Sequence, residues 1–293
     1  MDTFQTIVLA ILEGLTEFLP VSSTAHMKFA NPLLHVAQTP FRDMFEVVVQ
    51  LAAILAVVVI YRKKFFDFKK ISFYIKLIIA VIPALIGGIL LKKHIDAALG
   101  NISFIAWVML IGGIILLFID QFFKNPVIDS EEKVSNKSAF KIGCGQVLSI
   151  IFPGLSRSAA TIITGMSQKL TRSAAAEFSF FLAVPTMLAA SIKSFWDACK
   201  NNYTTINNIS EEQAKTIKIS FNEILGKENL HNFLSYENKQ ALFIGCVVSF
   251  LVALVAVKFF IGFLKKYGFR VWGVYRIIIG LVMLVLIWKG IVQ

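Results

Sequence analysis

The sequence contains few charged residues: Asp, Glu, Lys and Arg make up 16% of its 293 residues, whereas soluble domains contain about 25%. Hydrophobic residues make up 57%, and the mean hydropathy is +0.73. Apolar runs of about 20 residues, the length that a helix needs to cross a bilayer, recur along the chain. The composition therefore excludes a soluble globular domain and predicts an all-α, polytopic membrane protein.

Cysteine is also scarce, because the chain contains only Cys144, Cys199 and Cys246, far apart in sequence. This spacing predicts neither a disulfide framework nor a cysteine metal site. The amino terminus has no basic residues ahead of its first apolar run, and Glu13 interrupts that run. We therefore expect no cleaved signal peptide.

The net charge of +11 comes largely from basic residues at the ends of apolar runs. This distribution favours a positive-inside membrane topology over a nucleic-acid surface, so we expect no nucleic-acid partner. The sequence makes no prediction of oligomeric state. Both termini are expected outside. The expected cytoplasmic connections are 62–70, 124–141 and 265–270, and the expected outer ones are 92–102 and 196–240.

Six apolar runs predict full membrane spans: 45–61, 71–91, 103–123, 174–195, 241–264 and 271–288. Two further apolar stretches, 4–19 and 139–152, stop at Pro20 and Pro153, and polar residues follow each proline. We predict that each stretch enters the membrane, breaks and returns as a re-entrant helix hairpin. Broken backbone at membrane depth is tolerated only inside protein or beside water, so both loops are candidates for a buried site.

The two halves of the chain are weakly alike. Pro20 and Pro153 are 133 residues apart, as are Ser23 and Ser156. Units 1–138 and 139–293 would each contain one hairpin and three spans, and the odd number of spans predicts inverted-topology repeats. We expect segment 196–240 to be a surface excursion at the lipid interface. Its amphipathic patch would comprise Ile217, Ile219, Phe221, Ile224 and Leu225.

The first loop follows two acids, Glu13 and Glu17, which lie one helical turn apart on one face. Burying each in hydrocarbon costs about 2.5–3.5 kcal/mol. The pair predicts a divalent-metal site or a general acid/base pair; the alternative is two carboxylates that reach the membrane surface. Hydroxyl groups and free backbone N–H groups after the break are suited to phosphate oxygens. The polar residues of this loop are Ser22, Ser23, Thr24 and His26, whereas His35, His94 and His231 lack such company and are taken as structural.

The second loop contains Ser156, Arg157, Ser158 and Thr161. Arginine is suited to bidentate phosphate binding and stays protonated when buried. Its alternative role is an ion pair with Glu46 or Glu177. Together the loops contain the groups needed for metal-assisted phosphoryl transfer.

Two motifs, EGLTEFLPVSSTAH at 13–26 and PGLSRSAAT at 153–161, closely resemble the signatures of the undecaprenyl-diphosphate phosphatase family, also called the bacitracin resistance protein family. FEVVVQL at 45–51 and EFSFFLAVP at 177–185 resemble its other shared blocks. The resemblance covers the whole membrane portion. It implies hydrolysis of undecaprenyl diphosphate, recycling of the lipid carrier for peptidoglycan and envelope polymers, and bacitracin resistance.

The resemblance also implies a divalent cation, Mg²⁺ or Ca²⁺, and a polyprenyl diphosphate substrate. The protein would lie in the bacterial cytoplasmic membrane, with its active site open to the outer (periplasmic) face. The implied catalytic residues are Glu13, Glu17, Ser23 and His26, with the metal on Glu13 and Glu17. The implied substrate-binding residues are Arg157, Ser156, Ser158, Thr161, Ser22 and Thr24. Ser23, His26 and water remain alternative nucleophiles.

Two other functions compete with this one. A transporter or lipid flippase also uses inverted repeats with broken helices, and an ion-coupled one could use Glu13 and Glu17. A phosphatase of the phosphatidic-acid type requires a Ser-Gly-His motif and a histidine after its Ser-Arg pair. The chain has no Ser-Gly-His, and no histidine lies between Arg157 and His231, so we reject that family.

Overall fold

The computed structural model describes residues 1–123, 125–207, 209, 221–226 and 233–292. Within them the regular secondary structure is helical, and six helices are long and apolar enough to cross a bilayer: Pro40–Ile60, Ile71–Leu90, Ile102–Phe122, Arg172–Ile206, Tyr236–Tyr267 and Arg270–Trp288. The prediction of an all-α polytopic membrane protein is confirmed. The α-helices are α1 (Thr3–Thr16), α2 (Ser23–Leu33), α3 (Pro40–Ile60), α4 (Arg62–Phe65), α5 (Ile71–Leu90), α6 (Lys92–Leu99), α7 (Ile102–Phe122), α8 (Asn136–Ile151), α9 (Arg157–Ser167), α10 (Arg172–Ile206), α11 (Phe221–Ile224), α12 (Tyr236–Tyr267) and α13 (Arg270–Trp288).

Three spans, α3, α10 and α12, extend well beyond the apolar runs that predicted them. α3 begins before residue 45, because Thr39 caps it by accepting a hydrogen bond from the Arg42 backbone N–H (3.1 Å) and Pro40 occupies its first position. α10 continues past residue 195, where Ala198 and Cys199 are buried in an apolar cluster. Apolar runs thus mark the membrane-crossing part of each helix, whereas caps and packing set its ends.

The hairpins α1–α2 and α8–α9 are built from helices of 14, 11, 16 and 11 residues. At 1.5 Å per residue these helices are about 16–24 Å long, shorter than the roughly 30 Å hydrocarbon core. No helix of either hairpin is long enough to cross the membrane, as expected of re-entrant hairpins.

The two halves of the chain interlock. The first helix of each hairpin packs against a span of the opposite half, α1 on α12 and α8 on α5. The remaining large contacts include α3 with α10 and α7 with α13. These pairs relate corresponding elements of 1–138 and 139–293, while the inverted orientation of the halves stays a prediction.

The described part of segment 196–240 is packed against the bundle. Ile224 is 2% exposed and belongs to an apolar cluster with Phe41, Phe45 and Phe233, and Leu225 packs against the same cluster. The prediction of a lipid-facing patch is therefore wrong for Ile224, since its side chain faces protein. Ile217 and Ile219, together with the Phe221 side chain, lie outside the described residues.

Candidate active site

The two hairpin turns share an unusual cap. Ser22 (φ +69°) and Ser156 (φ +76°) are the N-cap residues of α2 and α9. Each hydroxyl oxygen accepts a hydrogen bond of 3.3 Å from the N–H three residues later, at Ala25 and Ala159. Positive φ is uncommon outside glycine and marks a strained backbone.

This shared cap corrects the alignment of the halves by one residue. The structural equivalents are Ser22 and Ser156, and Ser23 corresponds to Arg157. The second turn has one more residue between its proline and its cap, so an alignment on the prolines slips. The loops therefore offer a hydroxyl and a guanidinium at matching positions.

Glu17 joins the two hairpins. Its Oε2 accepts hydrogen bonds from Ser23 Oγ (2.6 Å) and Gln50 Nε2 (2.8 Å), and its Oε1 accepts one from Arg157 Nη2 (2.5 Å). The Ser158 hydroxyl adds a bond of 2.8 Å to the Leu19 carbonyl. The carboxylate partner of Arg157 is thus Glu17, in place of the Glu46 and Glu177 alternatives.

Glu13 lies one turn before Glu17 and is equally enclosed, with 1% and 5% exposure. That burial excludes the alternative in which both carboxylates reach the membrane surface. Glu13 interacts electrostatically with Glu17 and Glu46. Its Oε1 has no hydrogen-bond partner among the described residues, and the same holds for Nε of Arg157.

Of the two unpartnered atoms, Glu13 Oε1 is a hydrogen-bond acceptor and Arg157 Nε is a donor. A buried polar group without a partner costs about 1–3 kcal/mol, so native structures retain few of them. Here a carboxylate oxygen and a guanidinium N–H are left unsatisfied at one site. A ligand that carries both a cation and anionic oxygens would satisfy both.

The carboxylates suit a divalent cation only in part. No group of three or more His, Cys, Asp or Glu side chains is arranged around a metal position in the described ranges. Mg²⁺ often takes one or two carboxylates and completes its coordination with phosphate oxygens and water. Glu13 and Glu17 meet that smaller requirement.

His26 has both ring nitrogens engaged. Its Nδ1 lies 2.7 Å from the Ser22 carbonyl oxygen, and its Nε2 lies 2.7 Å from the Tyr275 hydroxyl. Since a carbonyl only accepts, Nδ1 must carry the hydrogen, and in the neutral ring Nε2 accepts from Tyr275. The structure therefore does not pair His26 with Ser23, whose partner is Glu17.

The remaining predicted substrate-binding hydroxyls mostly brace the loops. Thr161 Oγ1 donates to the Arg157 carbonyl (2.9 Å) and lies 2.6 Å from Ser179 Oγ. Ser156 Oγ lies 3.0 Å from Ser158 Oγ, and Thr24 is half-buried in the first turn of α2. Their direct contact with a substrate stays a prediction.

Arg276 was missed in the sequence, although it ties the site together. It is fully buried in α13, and its Nη1 donates to the carbonyls of Pro20 (3.1 Å) and Leu155 (2.7 Å). Its Nη2 donates to Gly154 (2.8 Å), so one guanidinium holds both hairpin turns. An arginine in the middle of an apolar span was the available signal.

A polar cluster lies at the start of α3, beside the acids. Glu46 accepts a hydrogen bond from Asn31 (2.6 Å) and pairs with Lys28 (3.3 Å) and Arg42 (3.6 Å). Glu46 and Lys28 remain 14% and 19% exposed, more than Glu13 or Glu17. The cluster is thus more exposed than the two acids, and its Glu46 interacts electrostatically with Glu13.

Comparison with known proteins finds matches over nearly the whole chain. The family model described as "Bacitracin resistance protein BacA" matches residues 6–282. The chain is 46% identical to the undecaprenyl-diphosphatase of Flavobacterium johnsoniae over 287 residues, which cover 98% of this chain and 96% of that protein. It is 41% identical to the undecaprenyl-diphosphatase of Porphyromonas gingivalis, with 99% of each chain covered. It is 37% identical to that of Bdellovibrio bacteriovorus, with 99% of this chain and 98% of that protein covered.

Proposed function

The chain belongs to the bacitracin resistance protein BacA family, and from this premise we propose that it hydrolyses undecaprenyl diphosphate to undecaprenyl phosphate and inorganic phosphate. The reaction recycles the lipid carrier for peptidoglycan and other envelope polymers. The family description also links this activity to bacitracin resistance.

One observation carries the proposal: in one buried site, the acceptor Glu13 Oε1 and the donor Arg157 Nε both lack a hydrogen-bond partner among the described residues. A diphosphate with a divalent cation supplies anionic oxygens for the arginine and positive charge for the carboxylate. An ion-coupled flippase would explain the acids, but it has no use for the serine hydroxyl held on Glu17 beside them.

The hydrogen bond from Ser23 to Glu17 favours Ser23 over His26 as the nucleophile. Glu17 is placed to take the hydroxyl proton while Ser23 Oγ bonds to the terminal phosphorus. The phosphorus–oxygen bond to undecaprenyl phosphate then breaks, and water hydrolyses the phosphoserine. His26 could attack only through Nε2, which Tyr275 now occupies.

Charge neutralisation is the other requirement of phosphoryl transfer. Glu13 and Glu17 would hold Mg²⁺ or Ca²⁺, which supplies positive charge to the transferring phosphoryl group when bound. Arg157 sits on the opposite hairpin and would bind the diphosphate oxygens from that side. Arg276 donates hydrogen bonds to both turns and so fixes their separation. The carboxylates of the first hairpin and Arg157 of the second are therefore held at a fixed distance from each other.

We place the protein in the bacterial cytoplasmic membrane, with its site open to the periplasmic face. The Glu46 cluster lies at the start of α3, whereas the basic connection 62–70 follows the end of that helix. The positive-inside rule assigns the basic end to the cytoplasm. The Glu46 end of α3, which we take as the mouth of the site, then faces the periplasm.

The decisive test is phosphate release from a C15 or C55 prenyl diphosphate by the detergent-solubilised protein. We expect release that depends on added Mg²⁺ or Ca²⁺ and is abolished by a chelator. No release above that of Glu17→Ala would sink the hydrolase proposal. Single-turnover release of undecaprenyl phosphate by Ser23→Ala and His26→Ala then separates the two candidates: we expect Ser23→Ala to abolish release and His26→Ala only to slow it.

A further inference from the structure

A cavity of about 450 Å³ lies at the end of the bundle where α12 carries Lys265 and Lys266. It forms where α7 ends, α9 joins α10, and α12 ends. Phe123, Met166 and Leu170 provide an apolar wall, and Arg172 and Lys265 provide cations. No residue of the candidate active site lines it.

The cationic side of this cavity is held in place. Asp120 Oδ1 accepts from Arg172 Nε (2.7 Å), and its Oδ2 accepts from the Phe269 backbone N–H (2.9 Å). Both oxygens of the one acidic lining residue are thus engaged. Among the described residues, the terminal nitrogens of Arg172 have no hydrogen-bond partner. Lys265 has no ion pair within 4.0 Å in the same part of the chain, although it interacts with Glu177 at longer range.

The apolar wall is equally well defined. The Ile128 N–H donates to the Lys169 carbonyl (2.9 Å), and the Thr171 N–H donates back to the Ile128 carbonyl (2.8 Å). These bonds fix the chain at Ile128 against the α9–α10 junction. The cavity is therefore a built feature of the fold.

Two exposed apolar side chains are sequence neighbours of residues that line the cavity. Phe122 is 75% exposed and Val127 is 71% exposed, and they flank the lining residues Phe123 and Pro126 in sequence. At the end of a membrane span such residues face lipid. A free inorganic anion would use the cations but would gain nothing from the apolar wall, whereas an amphiphile uses both.

We propose that this cavity binds the phosphate head group of an anionic phospholipid, with an acyl chain along the apolar wall. Basic pockets between membrane helices on the cytoplasmic side are suited to such head groups. The inference goes beyond the hydrolase function, since it involves none of its residues.

Native mass spectrometry of the full-length protein tests the proposal, with phosphatidylglycerol, phosphatidylcholine and inorganic phosphate titrated separately. We expect phosphatidylglycerol to bind at least tenfold more tightly than phosphatidylcholine, with millimolar phosphate unable to displace it. Equal binding of both lipids would overturn the proposal. Displacement by phosphate would also overturn it and identify a free phosphate ion as the ligand.

Two variants locate the binding. Lys265→Gln removes a cation, and Ser173→Glu adds a negative charge at the second position of α10, where the helix dipole favours an acid and the fold should survive. We expect each to weaken phosphatidylglycerol binding at least fivefold. Prenyl diphosphate hydrolysis should stay at the wild-type rate.

The matched control is Lys137→Gln with Lys141→Gln, which removes two charges from α8 outside the cavity. Binding should stay within twofold of wild type. An equal loss in this control would show that lipid binding follows overall charge, and the cavity assignment would fail. Monodisperse gel filtration of every variant establishes that each is folded.

Discussion

Arg276 shows how a buried charge can organise a membrane site without a counter-ion. Among the described residues, its hydrogen-bond partners are all main-chain carbonyl oxygens, from both hairpin turns and from α7, and none is an acid. Carbonyl oxygens freed by the broken helices would otherwise lack donors in the hydrocarbon region. The guanidinium therefore supplies donors for these carbonyl oxygens, and the carbonyl oxygens supply acceptors for its N–H groups. Each depends on the other for its hydrogen bonds.

Arg276→Lys should destabilise the protein strongly, because an ammonium group has three N–H donors on one nitrogen, whereas Arg276 donates to five carbonyls from three nitrogens. Breaking a buried charge network of this kind costs about 3–5 kcal/mol, which lowers the unfolding temperature by roughly 10 °C. Thermal unfolding in detergent measures it. Arg270→Lys, at an exposed position of the same helix, is the control, and equal unfolding temperatures for the two variants would contradict the role of Arg276.

Arg157→Lys should lower kcat/KM by about 100-fold while the protein remains folded. Arg157 donates one Nη2 hydrogen to Glu17 and one Nη1 hydrogen to the Ser179 carbonyl (3.1 Å), so its Nε–H and the second hydrogen of each terminal nitrogen are left for a ligand. Lysine offers a point charge in place of this fork. Steady-state hydrolysis of a prenyl diphosphate checks the result against the exposed Arg62→Lys. Turnover close to wild type would refute the diphosphate clamp.

Glu13→Gln should separate activity from stability. The amide removes one of two adjacent buried carboxylates, so the unfolding temperature should stay level or rise. The same change weakens the cation site, and metal-dependent turnover should fall at least tenfold. The exposed Glu237→Gln in α12 is the control. If neither Glu13→Gln nor Glu17→Gln alters turnover, the metal assignment is wrong.

At the scale of elements, the sequence predicted what depends on composition and missed what depends on contact. Hydropathy located all six spans, and the two prolines located both hairpin breaks. The extension of α10 to Ile206 could not be predicted, because Ala198 and Cys199 are buried by residues distant in sequence. The sequence paired Ser23 with Ser156, one residue out of alignment, because the prolines are visible in the sequence and the conformation of the caps is not.

The cap conformation leads to a prediction about Ser156. Glycine adopts positive φ without strain and costs only a few tenths of a kcal/mol as an N-cap, whereas alanine loses about 1 kcal/mol there. Ser156→Ala should therefore be less stable than Ser156→Gly by at least 1 kcal/mol in unfolding free energy. Ser135, which caps α8 at an ordinary φ of −77°, provides the comparison. There the difference between glycine and alanine should be smaller, and an equal difference would argue against strain at Ser156.

At the scale of the whole molecule, the site exists only because the halves interlock. Glu17 and Ser23 come from the first hairpin, Arg157 from the second, and Arg276 from the last span. The sequence predicted that the two loops carry complementary groups. It could not show that α1 packs on α12 and α8 on α5, since apolar helix faces do not specify their partners.

This architecture requires the ends of α3 to lie on opposite sides of the membrane. α3 has 21 residues, about 31 Å of helix, with exposed Gln38 before it and half-buried Asp67 after it. The connection 62–70 contains five basic residues and 92–102 contains two, so the positive-inside rule places Asp67 in the cytoplasm.

A membrane-impermeant maleimide should label Gln38→Cys and Asp96→Cys in intact cells, and Asp67→Cys only after permeabilisation. Cys144 and Cys246 are replaced beforehand, because neither is fully buried. The opposite pattern would turn the mouth of the site toward the cytoplasm, and hydrolysis on the periplasmic face would have to be abandoned.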